Sequence, residues 1–210
     1  AISGFLETLE AENLSSEGQD HLGIIKKNTD RLVRLVEDLS RLSELEEKGL
    51  ELEKEPTNLS EVARAVIEIY QKEARAKGLY LKLEEEPLPL ILADAFQLEQ
   101  LLVNLVDNAI RYTEKGGVVV KLEKKNGGIL LSVIDTGIGI PEEHLPRIFE
   151  RFYVVDKSRS RKTGGTGLGL SIVKHIVLAH QGKIEVKSDL GFGTRIEIWL
   201  PASGLDSHHL

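Results

Sequence analysis

FQLEQLLVNLVDNAIRY, residues 96–112, carries the reading of this chain. Phe96, Leu98, Leu101, Leu102, Leu105, Val106 and Ile110 recur at three- and four-residue intervals, the spacing of a helix with one buried face. Asp94 and Ala95 lead into it. Asn104, Asn108, Arg111 and Tyr112 interrupt the apolar run at intervals of four, three and one, so the first three lie along one side of the helix. Carboxamides among leucines cost free energy when unpaired, so they should meet something polar.

Outward from this helix the elements alternate. Upstream, Asn58 or Ser60 caps a helix through Leu59, Val62, Ala63, Val66, Ile67 and Tyr70 that ends near Gly78. Leu79 to Glu84 alternates as a strand, and Leu88 to Ala93 reads as a short apolar strand containing Pro89. Downstream, Val118 to Glu123 and Ile129 to Asp135 flank the turn Asn126, Gly127, Gly128. A long irregular region follows from Thr136 to about Thr166. Leu168 to His180 is helical, and Lys183 to Ser188 pairs with Thr194 to Leu200 across Asp189 to Gly193. This order predicts an α/β fold: a two-layer sandwich of three helices on one face of a mixed, mainly antiparallel sheet.

The first 47 residues differ. Ile2, Phe5, Leu6 and Leu9 have helical spacing, and Ser15 or Ser16 is placed to cap a second helix to about Glu46. Along it Leu22, Ile25, Leu32, Leu35, Val36, Leu39, Leu42 and Leu45 form one stripe, with Ile25, Leu32 and Leu39 seven apart. A single helix cannot bury such a stripe, so a partner is expected, most simply a second copy forming a four-helix bundle. The other reading folds the helix back onto its own globular domain. Gly49 and Pro56 punctuate the boundary. The expected organisation is a helical hairpin over 1–47, a linker over 48–57, a globular domain over 58–201 and a tail over 202–210.

Composition removes several classes of function. There is no Cys, hence no disulfide and no thiolate metal site. A net charge of −7 argues against nucleic-acid binding, which needs a basic field. No apolar run approaches a membrane span, so membrane contact is expected only through further upstream regions, and a cytoplasmic setting fits.

Three groups carry chemistry. Asp135-Thr136-Gly137-Ile138-Gly139-Ile140-Pro141 ends a strand; its glycines let backbone approach a flat ligand, and Asp135 can accept from an exocyclic amine such as that of adenine. Gly164-Gly165-Thr166-Gly167-Leu168-Gly169-Leu170 opens onto a helix, where amide N–H groups and the helix dipole favour an anion. No Lys-Ser or Lys-Thr pair follows these glycines, so this is not a Walker loop. Between them, Phe149, Phe152 and Tyr153 precede Asp156-Lys157-Ser158-Arg159-Ser160-Arg161-Lys162, a basic run suited to a lid over phosphates or to a solvated loop. The amide oxygens of Asn104 and Asn108 suit Mg²⁺ beside substrate phosphates. On spacing alone, capping or backbone pairing is an equal reading.

Together these segments resemble the sensor histidine kinases of bacterial two-component systems, whose ATP-binding domain has the fold shared with gyrase, Hsp90 and MutL. Asn104 to Thr113 looks like the N box, Asp135 to Gly139 the G1 box, Phe149 to Tyr153 the F box, Gly165 to Leu170 the G2 box, and Gly191 to Thr194 the late glycine turn. The resemblance implies ATP and Mg²⁺, with Asn108 as metal ligand, Asn104 in the phosphate and metal cluster, and Arg111 and Tyr112 on phosphate and nucleoside. It implies Asp135 on the adenine amine, and Gly137, Gly139 and Ile140 shaping the pocket. Phe152, Tyr153, Arg159 and Arg161 would belong to the lid; Gly165, Thr166, Gly167, Leu168 and Gly169 to its hinge and the phosphate loop; and Thr194 to the nucleotide site. The implied partners are a second copy and a response-regulator receiver domain, in a parent anchored at the bacterial inner membrane.

Two departures stand out. The family's His-Glu-Leu-Arg-Thr-Pro-like box lies just before a segment like Ile2 to Phe5, and the sequence holds no such box. His21, His144, His175 and His180 read as surface or packing residues, and Asp206 to Leu210 as a tail. Autophosphorylation by these residues alone is therefore not expected. Val154 stands where the family usually has Arg, so either Arg151, Arg159 or Arg161 substitutes or nucleotide turnover is impaired. A binding module without transfer is the alternative function.

Overall fold

The computed structural model describes Leu6, Leu9 and residues 14–47, 52–156 and 165–202. Arg159, Arg161, Ile2, Phe5 and the tail from residue 203 lie outside the described residues. Helix α1 spans Ser16–Glu47. Strand β1 (Glu55–Thr57) precedes α2 (Leu59–Ala76), β2 (Tyr80–Glu85), β3 (Ile91–Ala93), α3 (Ala95–Tyr112), β4 (Gly117–Lys125) and β5 (Gly128–Asp135). A 3₁₀ turn (Glu142–Arg147), α4 (Gly169–Ala179), β6 (Lys183–Asp189) and β7 (Gly193–Pro201) complete it.

The main sheet runs β2-β4-β5-β7-β6, with β2 parallel to β4 and the other pairs antiparallel, the expected mixed sheet. The strand expected over 88–93 is cut to three residues and leaves this sheet to pair with β1, which the sequence reading missed. Pro89 has no N–H for a ladder, and the short Glu55–Thr57 run carries no alternation to announce it.

Helix α3 forms as its periodicity requires. Asp94 accepts from Gln97 N at 3.0 Å to cap its start, and Thr113 Oγ1 donates to Ala109 O at its end. Leu98, Leu101, Leu102, Leu105, Val106, Ala109 and Ile110 are buried against α2, α4 and the sheet. Each large side chain so buried contributes on the order of 1.5–3 kcal/mol. Phe96, expected on that face, is exposed, since it belongs to the first turn beyond the covered stripe. Buried His180 ties α4 to this start: Nδ1 donates to Ile176 O, and Nε2 accepts from Asp94 N at 3.1 Å. Burial holds its pKa below the ordinary value.

Helix α1 is capped by Ser15, whose Oγ accepts from Gly18 N. The stripe of α1 is only partly covered by its own domain. Leu35 packs against the domain core, whereas Ile24, Ile25, Leu32, Val33, Val36 and Leu39 remain exposed. Asn28 donates to Ile24 O of its own helix. No helix among the described residues is long and apolar enough to cross a membrane.

Candidate functional site

A cavity of about 510 Å³ opens between α3, the end of β5, the start of α4 and one face of α1. Asn104, Asn108, Arg111, Tyr112, Asp135, Gly139, Ile140, Tyr153, Gly165, Thr166, Gly167, Gly169 and Thr194 all line it. Residues ninety positions apart in sequence thus meet in one place. Gly137, Phe152 and Leu168 do not line it: Gly137 supplies an amide to Asp135, Phe152 is exposed, and the Leu168 side chain is buried in the core.

At one end, β5 delivers Asp135 to the cavity. Its Oδ1 accepts from Gly137 N at 2.8 Å and from Thr194 N at 3.2 Å. Burial raises its pKa from the ordinary carboxylate value, and these two amides act against that rise. Oδ2 makes no hydrogen bond among the described residues. The loop after β5 is held by backbone: Ile138 N donates to Tyr112 O, and Gly191 N to Ile138 O. Ser188 completes the knot, accepting from Ile140 N at 2.8 Å, donating to Gly193 O and lying 2.9 Å from Thr194 Oγ1. Ser188 was not singled out in the sequence, where nothing distinguishes a strand-end serine.

At the other end the side chains answer one another. Asn104 Nδ2 donates to Gln100 O, and Arg111 pairs with Asp107 at 2.5 Å. Asn108 makes no side-chain hydrogen bond among the described residues. Helix α4 starts beside these amides without a side-chain cap. A Cβ at Gly169 would lie 2.7 Å from Asn104 Oδ1, so a larger residue there would displace the Asn104 amide. Thr166 Oγ1 donates to Asp38 of α1 at 2.8 Å and accepts from Leu168 N.

Several wall residues escaped the sequence reading. Val133 shares a face of β5 with Asp135, and Ile196 shares one of β7 with Thr194, so the period of two was the available signal. Tyr70, Gln100 and Asp107 come from helix faces already taken as core or surface. Burial, then Asp107 and Glu73, push the Tyr70 hydroxyl up to about 12. Arg34, Glu37 and Asp38 reach in from α1, a contact no local pattern foretells. Val154 also lines the cavity, while exposed Arg151 does not.

Residues 93–204 match the histidine kinase-, DNA gyrase B- and HSP90-like ATPases, and residues 1–48 match the His Kinase A phospho-acceptor domain. The chain belongs to this ATPase family, as the ATP-binding domain of a sensor histidine kinase preceded by a helical region of the phospho-acceptor type. It is similar to the sensor histidine kinase YkoH of Bacillus subtilis (strain 168), 43% identical over 172 residues that cover 82% of this chain and 36% of that protein. It is also similar to the autoinducer 2 sensor kinase/phosphatase LuxQ of Vibrio cholerae, 32% identical over 95% of this chain and 24% of that protein. The chain thus spans well under half the length of these relatives. Full-length ShkA solved with AMPPNP covers 94% of this chain and 42% of its own, at 32% identity and a TM-score of 0.78. Histidine kinase ThkA solved with the response regulator TrrA covers 96% of this chain and 57% of its own, at 27% identity and a TM-score of 0.73.

Proposed function

We propose that the cavity binds Mg²⁺-ATP and presents its γ-phosphoryl group to a histidine of a phospho-acceptor helix, from which it passes to an aspartate of a response-regulator receiver domain. The supporting observation is Asp135: a half-buried carboxylate fixed by two amides through one oxygen, with the other oxygen unpaired beside the apolar side chains of the cavity wall. That arrangement suits an adenine amine, and Val133, Ile138 and Ile196 give its ring apolar walls. Across the cavity, the unpaired Asn108 amide beside the start of α4 suits phosphates carrying a metal.

The donor set fits Mg²⁺. Among the described residues no group of three acidic or histidine side chains could hold a metal by itself, so the ion would arrive with the phosphates and take Asn108 as its protein oxygen, with Asn104 nearby. Bound there, it would neutralise charge developing on the phosphoryl oxygens. The chain's own part is placement: Asp135 fixes the base, and the α4 N-terminus and Thr166 meet the phosphates. Such fixing aligns the γ-phosphorus for in-line attack by an imidazole nitrogen, forming the N–P bond as the bond to the β,γ-bridging oxygen breaks. The exposed stripe of α1 suits a second copy of the chain, giving a homodimer, and the receiver domain is the further partner.

Calorimetric titration with a non-hydrolysable ATP analogue tests this reading. Saturable binding that strengthens with Mg²⁺ is expected; no binding at millimolar ligand would overturn it. Binding without transfer is the second reading, favoured by Val154, whose apolar side chain on the cavity wall offers phosphates no contact. A helical hairpin carrying a phosphoacceptor histidine, added in trans with γ-labelled ATP and Mg²⁺, separates the two: label on the hairpin supports transfer, and none supports binding alone.

A further inference from the structure

Tyr153 is gripped on three sides. Its hydroxyl lies 2.6 Å from Nδ1 of His144 in the 3₁₀ turn. Its ring carries the Arg147 guanidinium 4.3 Å above its centroid, and Arg147 is in turn held by Glu150 at 3.0 Å. Its backbone N–H donates to Glu150 O. The other end of the segment closes onto the same point: Gly167 has φ +76°, and a Cβ there would sit 2.9 Å from Cα and C of Phe152. Tyr153 and Gly167 thus meet at one point of the fold.

We infer that His144 is a positioning residue for nucleotide binding: it fixes the Tyr153 hydroxyl so that the ring stands as a wall of the cavity. This rests on the nucleotide reading above. The Glu143 carboxylate lies 3.6 Å from His144 Nε2, which favours the tautomer with the proton on Nε2. Nδ1 then accepts from the Tyr153 hydroxyl. Without that bond the ring keeps the Arg147 contact but loses the restraint on its tip, and ordering it falls to the bound nucleotide.

The test measures binding of a fluorescent ATP analogue to the 210-residue chain and its His144→Leu, His144→Asn, Tyr153→Phe and His144→Leu/Tyr153→Phe variants. His144→Leu and Tyr153→Phe should each weaken binding about threefold to tenfold, the effect of one lost hydrogen bond. The double variant should be no weaker than either single one. Asn, whose Oδ1 falls near the place of Nδ1, should restore affinity to within about twofold, which a loss of packing would not allow. Unchanged binding by His144→Leu, or additive losses in the double variant, would overturn the role while leaving the nucleotide reading intact. No saturable binding by the unaltered chain would overturn both. If His144→Leu does not fold, weak binding by Tyr153→Phe with near-normal binding by His144→Asn supports the inference, and equal weakening by both overturns it.

Discussion

The two ends of the cavity are built differently. Where the base is proposed to sit, main chain does the holding: Asp135 is set by amides from the loop after β5 and from the start of β7, and these segments are tied to each other through Ser188, Ile138 and Gly191. Where phosphates are proposed to sit, polar side chains other than Asn108 are occupied with neighbours, Arg111 with Asp107, Asn104 with Gln100 O, and Thr166 with Asp38. A rigid end selects a ligand, because its groups pay no ordering entropy on binding. An end made of mutually paired side chains must exchange those pairs for the ligand, so its contribution depends on what the ligand brings, above all charge and metal.

The sharpest way to break this contrast is Asp135→Asn. Asn can keep both amide bonds through Oδ1 but places an NH₂ where the second carboxylate oxygen stood, so two donors would face each other across the adenine amine. Nucleotide affinity is expected to fall by roughly a hundredfold, measured by calorimetry. Stability should move the opposite way. Because Asp135 has a raised pKa in the fold, its contribution to stability is full below its unfolded pKa and is lost as pH rises through the folded value. At pH 7 the partly desolvated carboxylate therefore costs the unliganded fold something that neutral Asn does not. The variant should melt higher than the parent at pH 7, with the gap closing as pH falls through the carboxylate range.

The same contrast explains what the sequence could reveal. Periodicity exposed α3 and the strand alternation because burial on one face imposes it, and the glycine segments stood out because close backbone approach forbids a side chain. Asp135, Asn104 and Asn108 were visible as polar residues where apolar ones would serve packing better. Ser188 was not, since its role arises only when β6 and β7 bring it against the loop after β5. His144 was hidden likewise, in a turn whose pairing with Tyr153 spans nine residues of irregular chain. The contacts of Arg34, Glu37 and Asp38 depend on how α1 leans on α4, which no local pattern encodes.

Asn108→Ala probes the other end. Loss of this amide should lower affinity about tenfold in the presence of Mg²⁺ and leave metal-free binding nearly unchanged, so the two titrations should converge. Equal losses with and without metal would mean that Asn108 meets the nucleotide directly, and the proposed metal contact would be wrong.

Val154 supplies the smallest and most telling effect. It lines the cavity one residue beyond the pinned Tyr153, and an apolar side chain there gives phosphates nothing. Val154→Arg adds a cation close to the carboxylates of Glu37, Asp38 and Asp156 as well as to the proposed phosphates. It can therefore pair with protein before ligand arrives, which limits the gain. Affinity for the triphosphate analogue should rise about threefold to fivefold at low salt, adenosine affinity should stay level, and the gain should shrink as ionic strength rises. An equal gain for adenosine would mean that the new side chain acts through packing and that this end of the cavity is not where the phosphates lie.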